Sequence, residues 1–282
     1  MQIIHTVADL RESLKNHDDI GFVPTMGNLH AGHIQLVEIA KHHAKYVVVS
    51  IFVNPLQFGA NEDFSTYPRT LDADCEKLSI AGADIVFAPS VKEMYPDFDG
   101  KRLNQNMAIT APPLANELCG ASRPGHFSGV ATVVMKLFNI VMPQIAVFGK
   151  KDYQQLLVIK ALVQQFNLPI EIIAGDTMRE SSGLAMSSRN GYLTPEQKTQ
   201  AAQLQLCLQQ IANEIKAGHT NYAVLEQIAT QTLSSQGWLV EYISVRSAHT
   251  LETASDTDTH LVVLAAAKLG NTRLIDNIDF LR

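Results

Sequence analysis

Two histidines near the start of the chain lie in a segment that could bind phosphate. The segment PTMGNLHAGH, residues 24–33, places His30 and His33 three positions apart. On a helical turn this spacing puts both rings on one face, where they can contact the same phosphate group. Gly27 allows a tight turn close to a ligand, and the N–H groups that begin a helix favour anionic oxygens. Helix capping and surface solvation are the alternative roles, and a zinc site lacks a third ligand nearby.

A second segment, AMSSRN at residues 185–190, offers phosphate ligands of a different kind. Its serine hydroxyls are hydrogen-bond donors, and Arg189 carries a permanent charge on a planar group that suits phosphate oxygens. The preceding SSG at residues 181–183 is typical of a flexible loop. Taken alone, the segment could equally be a serine-rich surface turn.

Alternating strands and helices are predicted around the histidine segment. Residues 46–53 form a β-branched run of the kind that is buried on both faces of a parallel sheet. The other predicted strands are 21–23, 84–87, 145–148 and 170–173, and the predicted helices are 7–15, 31–43, 71–81, 129–141 and 154–166. Parallel strands need helical crossovers, so we expect a doubly wound, Rossmann-like α/β sheet over residues 1–175. The histidine segment would then follow a strand in the ligand-binding crevice.

The pattern changes after Gly175. Two glutamine-rich helices are predicted at 195–217 and 221–235, and the first has Thr194 as N-cap before Pro195. Three strands are predicted at 239–245, 260–267 and 272–278. We therefore expect a smaller α+β domain over residues 176–282, with the AMSSRN segment near its start.

Composition narrows the classes of function. The 282 residues are 46% hydrophobic and 18% charged, which indicates a folded core rather than disorder. A net charge of −6 disfavours a protein that wraps nucleic acid. The three cysteines form no C-x-x-C pair, no secretory signal is visible, and the longest apolar run is too short to cross a bilayer. We expect a soluble cytoplasmic protein that binds neither nucleic acid nor membrane.

Together the two segments resemble the HIGH and KMSKS signatures of the class I nucleotidylyl transferase superfamily. Ala185 stands where KMSKS has its first lysine, and Arg189 takes the last position. Three further stretches make the chain similar to the pantothenate synthetase family: FVNPLQFG at 52–59 followed by Glu62-Asp63 and YPRT, RPGHF at 123–127, and FGKKDYQQL at 148–156. The resemblance runs from Met1 to about Asn190, and more loosely to the C-terminus.

The resemblance implies an ATP-dependent ligase that joins pantoate to β-alanine through a pantoyl adenylate. It implies catalytic roles for His30, His33, Lys151 and Arg189, pantoate binding by Gln57 and Gln155, and β-alanine binding by Gln57 and Asn54. Mg²⁺ would accompany the ATP phosphates near Asp152 without a dedicated protein site, and the protein would be a homodimer. The implied ATP contacts are Met26, Gly27, Asn28, Leu29, His30, Ala31, Gly32, His33, Gly149, Lys150, Lys151, Asp152, Met178, Met186, Ser187, Ser188 and Arg189.

Three departures from the family pattern are expected to affect affinity rather than the type of reaction. Lys150 stands where the family usually has an acidic residue, Gln144 replaces a common aspartate, and Ser128 a common arginine. Alternatives also exist for single residues. Asp152 could position the ribose, pair with Lys151 or lie on the surface, Asn54 could serve turn geometry, and the glutamines could be solvated. For the whole protein, the alternatives are a nucleotidylyl transferase with no ligase step, a class I tRNA synthetase, and a nucleotide-sensing module that is not an enzyme.

Overall fold

A computed structural model of the chain describes residues 1–59, 62 and 64–282. Asp63, part of one family-like stretch, lies outside the described residues. The chain forms two compact units, the first containing Met1–Lys150 and Val158–Gly175, the second Lys151–Leu157 and Asp176–Arg282. The segment from Lys151 to Leu157, which the sequence places in the first domain, thus groups with the second unit. The assignment of 1–175 and 176–282 as domains stays a prediction.

The first unit contains a six-stranded parallel sheet, which confirms the predicted fold class. Its strands are β1 (Gln2–Ile4), β2 (Ile20–Thr25), β3 (Tyr46–Ile51), β4 (Ile85–Phe87), β5 (Ile145–Gly149) and β6 (Glu171–Gly175). The spatial order is β1-β4-β3-β2-β5-β6. Strands β3 and β4 lie on one side of β2, whereas β5 and β6 lie on its other side. The carboxyl ends of β2 and β5 therefore form the switch point at which such sheets bind ligands.

Helices cover this sheet and supply its core. They are α1 (Val7–Leu14), α2 (Ala31–His43), α3 (Leu71–Ala81), α4 (Val91–Met94), α5 (Cys119–Ser122), α6 (His126–Val141) and α7 (Tyr153–Gln165). Val23, Val49 and Val147 of the central strands pack in one buried cluster with Val37 and Ala40 of α2. None of the helices in the described part of the chain is both long and apolar enough to cross a membrane.

The strand before the histidine segment was predicted to end at Pro24, and this was wrong. Pro24 lies inside β2, in register with Ser50 of β3. On the other side, β2 pairs with β5 only at Gly21 and Phe22. Proline has no N–H to donate, so it is compatible with a strand whose neighbour has already diverged. The ends of β2 and β5 are consequently not joined by ladder hydrogen bonds at the switch point.

The second unit is the predicted small α+β structure. Its elements are α8 (Pro195–Ala201), α9 (Gln203–Lys216), α10 (Tyr222–Ser235), β7 (Trp238–Ser247), β8 (His260–Leu269) and β9 (Thr272–Leu281). The three strands form an antiparallel sheet in the order β7-β8-β9. Leu208, Leu233 and Leu261 are fully buried in its core. The single helix predicted over 195–217 is in fact two, which meet at Ala202.

Helix α6 lies unusually close to a short 3₁₀ helix, Pro55–Gln57, that follows β3. A Cβ added to Gly129 would lie 2.6 Å from the carbonyl carbon of Leu56 and 2.9 Å from Cα of Gln57. Both contacts are with backbone, which cannot rotate away as a side chain can. Glycine at position 129 is therefore required by the packing that places Gln57.

Replacing Gly129 by alanine tests this packing. We expect Gly129→Ala to lower the free energy of unfolding by about 1–3 kcal/mol, the usual cost of inserting a methyl group into a packed interior. The measurement is urea denaturation followed by circular dichroism. Gly191→Ala is the matched control, because a Cβ there meets no atom within 4 Å. Equal stability of the two variants would contradict the proposed constraint.

Candidate active site

A buried carboxylate shapes the loop between β2 and α2. Asp74, whose side chain is fully buried, accepts hydrogen bonds from the backbone N–H of Asn28 at 2.8 Å and of Leu29 at 2.8 Å. The hydroxyl of Thr70 donates to the same carboxylate at 3.0 Å. Gly27 and Asn28 both have positive φ, 82° and 52°. Glycine adopts this region freely, whereas asparagine does so at a cost that surrounding contacts have to offset.

Asp74 was not predicted from the sequence. It lies in the first turn of α3, where the helix dipole favours a negative charge. Lys77, one turn later, donates to the carbonyl oxygen of Leu29 at 2.7 Å. The available signal was an acidic residue on a helix face that is otherwise apolar, beside Cys75 and Leu78. A carboxylate is rarely buried there without partners, so it indicates a nearby set of donors.

His30 and His33 have the proximity expected from their spacing, with ring centroids 4.1 Å apart. They also cap the helix: Nδ1 of His30 accepts from the N–H of Gly32 at 3.2 Å, and Nδ1 of His33 accepts from the N–H of His30 at 3.3 Å. A backbone N–H can only donate, so each Nδ1 must carry a lone pair. The proton of each neutral ring therefore lies on Nε2, which makes Nε2–H a donor suited to phosphate oxygen.

The other ATP contacts expected in the first unit are at the carboxyl ends of the central strands. Met26 follows β2 directly, Ala31 and Gly32 begin α2, and Gly149 ends β5 and is followed by Lys150. Because β2 and β5 are neighbours in a parallel sheet, these ends lie at one edge. The sheet thus brings the predicted residues of this unit together at the switch point.

Gln57 lies beside the histidine loop, and its side chain is held by two partners. Its side-chain Nε2 is 3.3 Å from the sulfur of Met26, and its Oε1 accepts from Nδ2 of Asn54 at 3.0 Å. Its backbone carbonyl accepts from Nδ1 of His126 at 2.8 Å. The side chain is 9% exposed, so it keeps only a small accessible surface. This places an uncharged donor and acceptor next to the histidine loop.

Asn54 is buried at the turn after β3, and its side chain caps the 3₁₀ helix Pro55–Gln57. It is 1% exposed, and its Nδ2 donates to Gln57 and to the carbonyl oxygen of Gly129. Its Oδ1 accepts from the N–H of Leu56 at 3.3 Å and from the hydroxyl of Tyr95 at 2.6 Å. Two donors and two acceptors exhaust the hydrogen-bonding capacity of an amide. The geometry therefore favours positioning of Gln57 over contact with a substrate.

Burial raises the pKa of the Tyr95 phenol well above its usual range. The hydroxyl consequently remains protonated and remains a donor to Asn54.

An ion pair extends this network. Arg123 binds Glu62 with two hydrogen bonds of 2.6 Å, from Nε and Nη2. Burial raises the pKa of Glu62, but the hydrogen bond and charge of Arg123 outweigh this, and the net pKa is lowered. Arg123 Nη1 lies 3.0 Å from Nε2 of His126, and arginine can only donate. His126 is therefore neutral with its proton on Nδ1, directed at the carbonyl oxygen of Gln57.

In the second unit, Lys151 and Asp152 follow β5 in a single 3₁₀ turn, Lys150–Asp152. Nζ of Lys151 is 4.0 Å from the Asp152 carboxylate, at the limit of an ion pair. The Asp152 side chain is 51% exposed. Gln155, the second residue predicted to bind pantoate, is half-buried in the first turn of α7. The simple ion pair and the phosphate role of these residues are both compatible with this arrangement.

The AMSSRN segment forms a hydrogen-bonded turn. The side chain of Ser187 accepts from the N–H of Arg189 at 3.2 Å and so caps the 3₁₀ helix Ser188–Tyr192. The N–H of Met186 donates to the carbonyl oxygen of Met178 at 2.9 Å. Ser187, Ser188 and Arg189 are half-buried. Two hydroxyls and a guanidinium are therefore grouped on one short turn, as an anion site requires.

Metal ligands are sparse. Among the described residues, no group of three or more histidine, cysteine, aspartate or glutamate side chains could hold a metal ion. A single exposed carboxylate such as Asp152 still fits Mg²⁺, since this ion commonly binds one or two carboxylates together with substrate phosphates and water.

Two of the three departures from the family pattern have structural roles. Gln144 precedes β5, and its Oε1 accepts from the N–H of Ile20 at 2.7 Å, at the amino ends of β2 and β5. Ser128 accepts from the N–H of Ala111 at 3.3 Å. Gln144 lies at the sheet edge opposite to the loop of His30 and His33, and the expected effect of the departures on affinity stays a prediction.

Comparison with known proteins gives consistent matches over the whole chain. The family described as pantoate-beta-alanine ligase matches residues 2–279. A pantothenate synthetase of Methylobacillus flagellatus is 62% identical over 280 residues, 99% of each chain. The crystal structure of pantothenate synthetase from Thermus thermophilus has a TM-score of 0.92 and 42% identity, with 99% of each chain covered.

A second solved structure carries ligands. It is the pantoate-beta-alanine ligase of Francisella tularensis complexed with beta-gamma ATP and beta-alanine, with a TM-score of 0.78 and 37% identity. The match covers 100% of this chain and 97% of that one.

Substitution of Asp74 tests its role in the loop. Asp74→Asn keeps the shape of the side chain but directs an NH₂ group at backbone N–H groups, and an unsatisfied buried donor costs about 1–3 kcal/mol. We expect that loss in the free energy of unfolding, measured by urea denaturation. Asp72→Asn, in the same helical turn but exposed, is the control and should change stability by less than about 0.5 kcal/mol. A wild-type stability of Asp74→Asn would argue against the role.

Proposed function

Since the chain belongs to the pantoate-β-alanine ligase family, we propose that it condenses pantoate with β-alanine and converts ATP to AMP and pyrophosphate. The pantoate carboxylate attacks the α-phosphorus of ATP, which releases pyrophosphate and leaves a pantoyl adenylate. The amine of β-alanine then attacks the acyl carbon, and AMP leaves with one oxygen of the original carboxylate. The observation that supports this most strongly is the paired histidine loop at the switch point of the sheet, beside the side chain of Gln57.

The first step requires charge stabilisation rather than a base. A carboxylate is already ionised near neutral pH, so no proton has to be removed before it attacks. The difficulty is to bring two anions together and to stabilise the charge that develops on the phosphate oxygens. His30 and His33 meet this need as neutral Nε2–H donors, because their Nδ1 atoms are occupied by backbone N–H groups.

Residues of the second unit supply positive charge and hydroxyl donors. We assign Lys151 and Arg189 to neutralise phosphate charge, and Ser187 and Ser188 to donate hydrogen bonds to phosphate oxygens. Mg²⁺ bound to the phosphates, with Asp152 as a carboxylate ligand, would offset further negative charge. The remaining backbone and side-chain contacts predicted for ATP, from Met26 to Gly32 and at Gly149, Lys150, Met178 and Met186, stay predictions.

Pantoate recognition is assigned to Gln57 and Gln155. A glutamine side chain donates and accepts without placing a second negative charge beside a carboxylate. We assign Asn54 to positioning, since its amide is fully engaged with Gln57, Gly129, Leu56 and Tyr95. Of Gln57 and Asn54, the two residues expected to bind β-alanine, we therefore retain only Gln57 in that role.

The second step depends on proximity. β-Alanine must react as the neutral amine, which is a minor species near neutral pH. Alignment of the amine with the bound adenylate can remove roughly 7–11 kcal/mol of the barrier, because the reactants no longer have to meet from solution. Gln57 supports this by fixing the acyl group between the two reactions.

We also propose that the protein is a homodimer in the cytosol. Use of ATP and the free cysteines Cys75, Cys119 and Cys207 fit a reducing compartment. The dimer is carried over from the family resemblance of the sequence. Sedimentation equilibrium tests the assembly, with twice the chain mass of 31.0 kDa as the expected value.

Isotope exchange between ATP and pyrophosphate tests the adenylation step. We expect exchange of labelled pyrophosphate into ATP that requires pantoate and does not require β-alanine, because the adenylate forms and reverses before the amine reacts. Exchange that depends on an amino acid, or no exchange with pantoate, would overturn the proposed function.

The role of His33 is tested by two substitutions at the same position. Glutamine is a common capping-box residue at this helix position, so His33→Gln keeps both the cap and an N–H donor but cannot transfer a proton. We expect His33→Ala to lose exchange by about 10²–10³-fold, as for removal of an oxyanion donor, and His33→Gln to retain at least roughly tenfold more.

His43→Ala, at the exposed end of the same helix, is the control and should exchange like the wild type. Equal inactivity of the alanine and glutamine variants would instead indicate proton transfer by His33.

A further inference from the structure

Strand β9 carries two adjacent buried polar residues, Asp276 and Asn277, which we call the β9 pair. They are 4% and 5% exposed. They lie inside a ten-residue strand that is paired with β8 along its whole length. A strand of this kind is a rigid support. Neither residue has a role in the proposed reaction. Their contacts therefore need an explanation.

Asp276 binds Arg179 in a bidentate ion pair. Nη1 and Nη2 of Arg179 lie 2.7 Å and 3.0 Å from the two carboxylate oxygens. The same guanidinium donates to the carbonyl oxygen of Gly183 at 3.1 Å and to that of Asn277 at 3.3 Å. The N–H of Asn277 completes the group by donating to Asp276 at 2.8 Å. Arg179 thus reaches both β9 and the loop that contains Gly183.

That loop leads directly into the serine-arginine turn. Arg179 and Ala185 form an isolated antiparallel bridge, and the N–H of Glu180 donates to the carbonyl oxygen of Leu184 at 2.8 Å. Asn190 then donates from Nδ2 to Glu180 at 2.9 Å and to the carbonyl oxygen of Ala185 at 3.1 Å. The position of Ser187, Ser188 and Arg189 is consequently fixed relative to Arg179, and through it relative to Asp276.

The second member of the β9 pair contacts a different functional segment. Nδ2 of Asn277 donates to the backbone carbonyl oxygen of Lys151 at 2.8 Å. This segment also contains Tyr153, whose hydroxyl donates to the carbonyl oxygen of Ala248 at 3.0 Å. The backbone that carries Lys151 and Asp152 is therefore held by side chains and carbonyl groups of the three-stranded sheet and its adjoining turn.

We propose that the β9 pair is a positioning device that sets the distance between the Lys151 segment and the serine-arginine turn within the second unit. This rests on the proposed function, in which Lys151 and Arg189 both neutralise phosphate charge of ATP. Two cations contribute fully to one polyphosphate only if their backbones keep a fixed spacing. Adjacent residues of one strand provide that spacing, because consecutive residues in a paired strand cannot move independently.

The chemistry of the β9 pair indicates that it positions other residues rather than stabilises the fold. A buried ion pair adds little net stability, because desolvation of both charges offsets their attraction. Its bidentate form does impose one orientation on Arg179, which a lysine would not. A purely structural role would lower stability without selectively changing the use of ATP, and this difference makes the proposal testable.

The decisive experiment measures pantoate-dependent ATP–pyrophosphate exchange with the full-length Asn277→Ala variant. We expect the KM for ATP to rise roughly tenfold, the effect of about 1.4 kcal/mol, with a smaller change in kcat. The KM for pantoate should change less than that for ATP. Arg273→Gln is the control for removal of an ion pair elsewhere in the same sheet, since it breaks the 2.9 Å contact between Arg273 and Glu241.

Arg179→Lys is the second variant, and it decides the matter if Asn277→Ala does not fold. It keeps the positive charge but loses the planar guanidinium that binds both carboxylate oxygens of Asp276. We again expect a higher KM for ATP, and a wild-type KM would overturn the proposal. For Asn277→Ala, an unchanged KM for ATP, or a change no larger than in Arg273→Gln, would also overturn it. Absence of exchange in the wild type would instead refute the proposed function, so the two failures are distinguishable.

Discussion

The buried carboxylate of Asp74 is the constraint on which the histidine loop depends. Residues 27 and 28 both adopt left-handed backbone conformations, a combination that is costly for asparagine and stable only when the surroundings determine it. Asp74 supplies that determination through hydrogen bonds to two backbone N–H groups. The start of α2 is thereby fixed, and with it the direction of the two imidazole rings. The carboxylate of Asp74 thus fixes the loop that carries the residues proposed to bind phosphate.

The two histidines that cap α2 are also the residues to which we assign phosphate binding. His30 and His33 use Nδ1 to satisfy backbone N–H groups that a helix start leaves without partners, and this defines which nitrogen carries the proton. The sequence alone presented capping and phosphate binding as alternatives. The structure shows the cap, which occupies Nδ1 of each ring and is compatible with the proposed phosphate contact through Nε2. Asn54 also uses all of its hydrogen-bonding groups, and one of these contacts orients Gln57.

The parts that were predictable from sequence are those with local signals. The β-branched run at Tyr46–Ile51 and the helical spacing of Ala31–His43 follow from periodicity, and the fold class follows from their alternation. Asp74 was missed because its partners are 46 and 45 residues away in the chain. The end of β2 was predicted wrongly at Pro24, because a strand can contain a proline where its neighbouring strand has diverged. Such features depend on tertiary contacts between distant segments, which local patterns do not report.

Transfer of oxygen from pantoate to AMP tests the central claim most directly. Pantoate labelled with ¹⁸O in its carboxylate is incubated with ATP, β-alanine and the wild-type protein, and the AMP is analysed by mass spectrometry. If a pantoyl adenylate forms, the oxygen that attacked phosphorus leaves with AMP, and each AMP carries one labelled oxygen from fully labelled pantoate. Unlabelled AMP formed together with pantothenate would contradict the account, because the carboxylate would then never have bonded to the α-phosphorus.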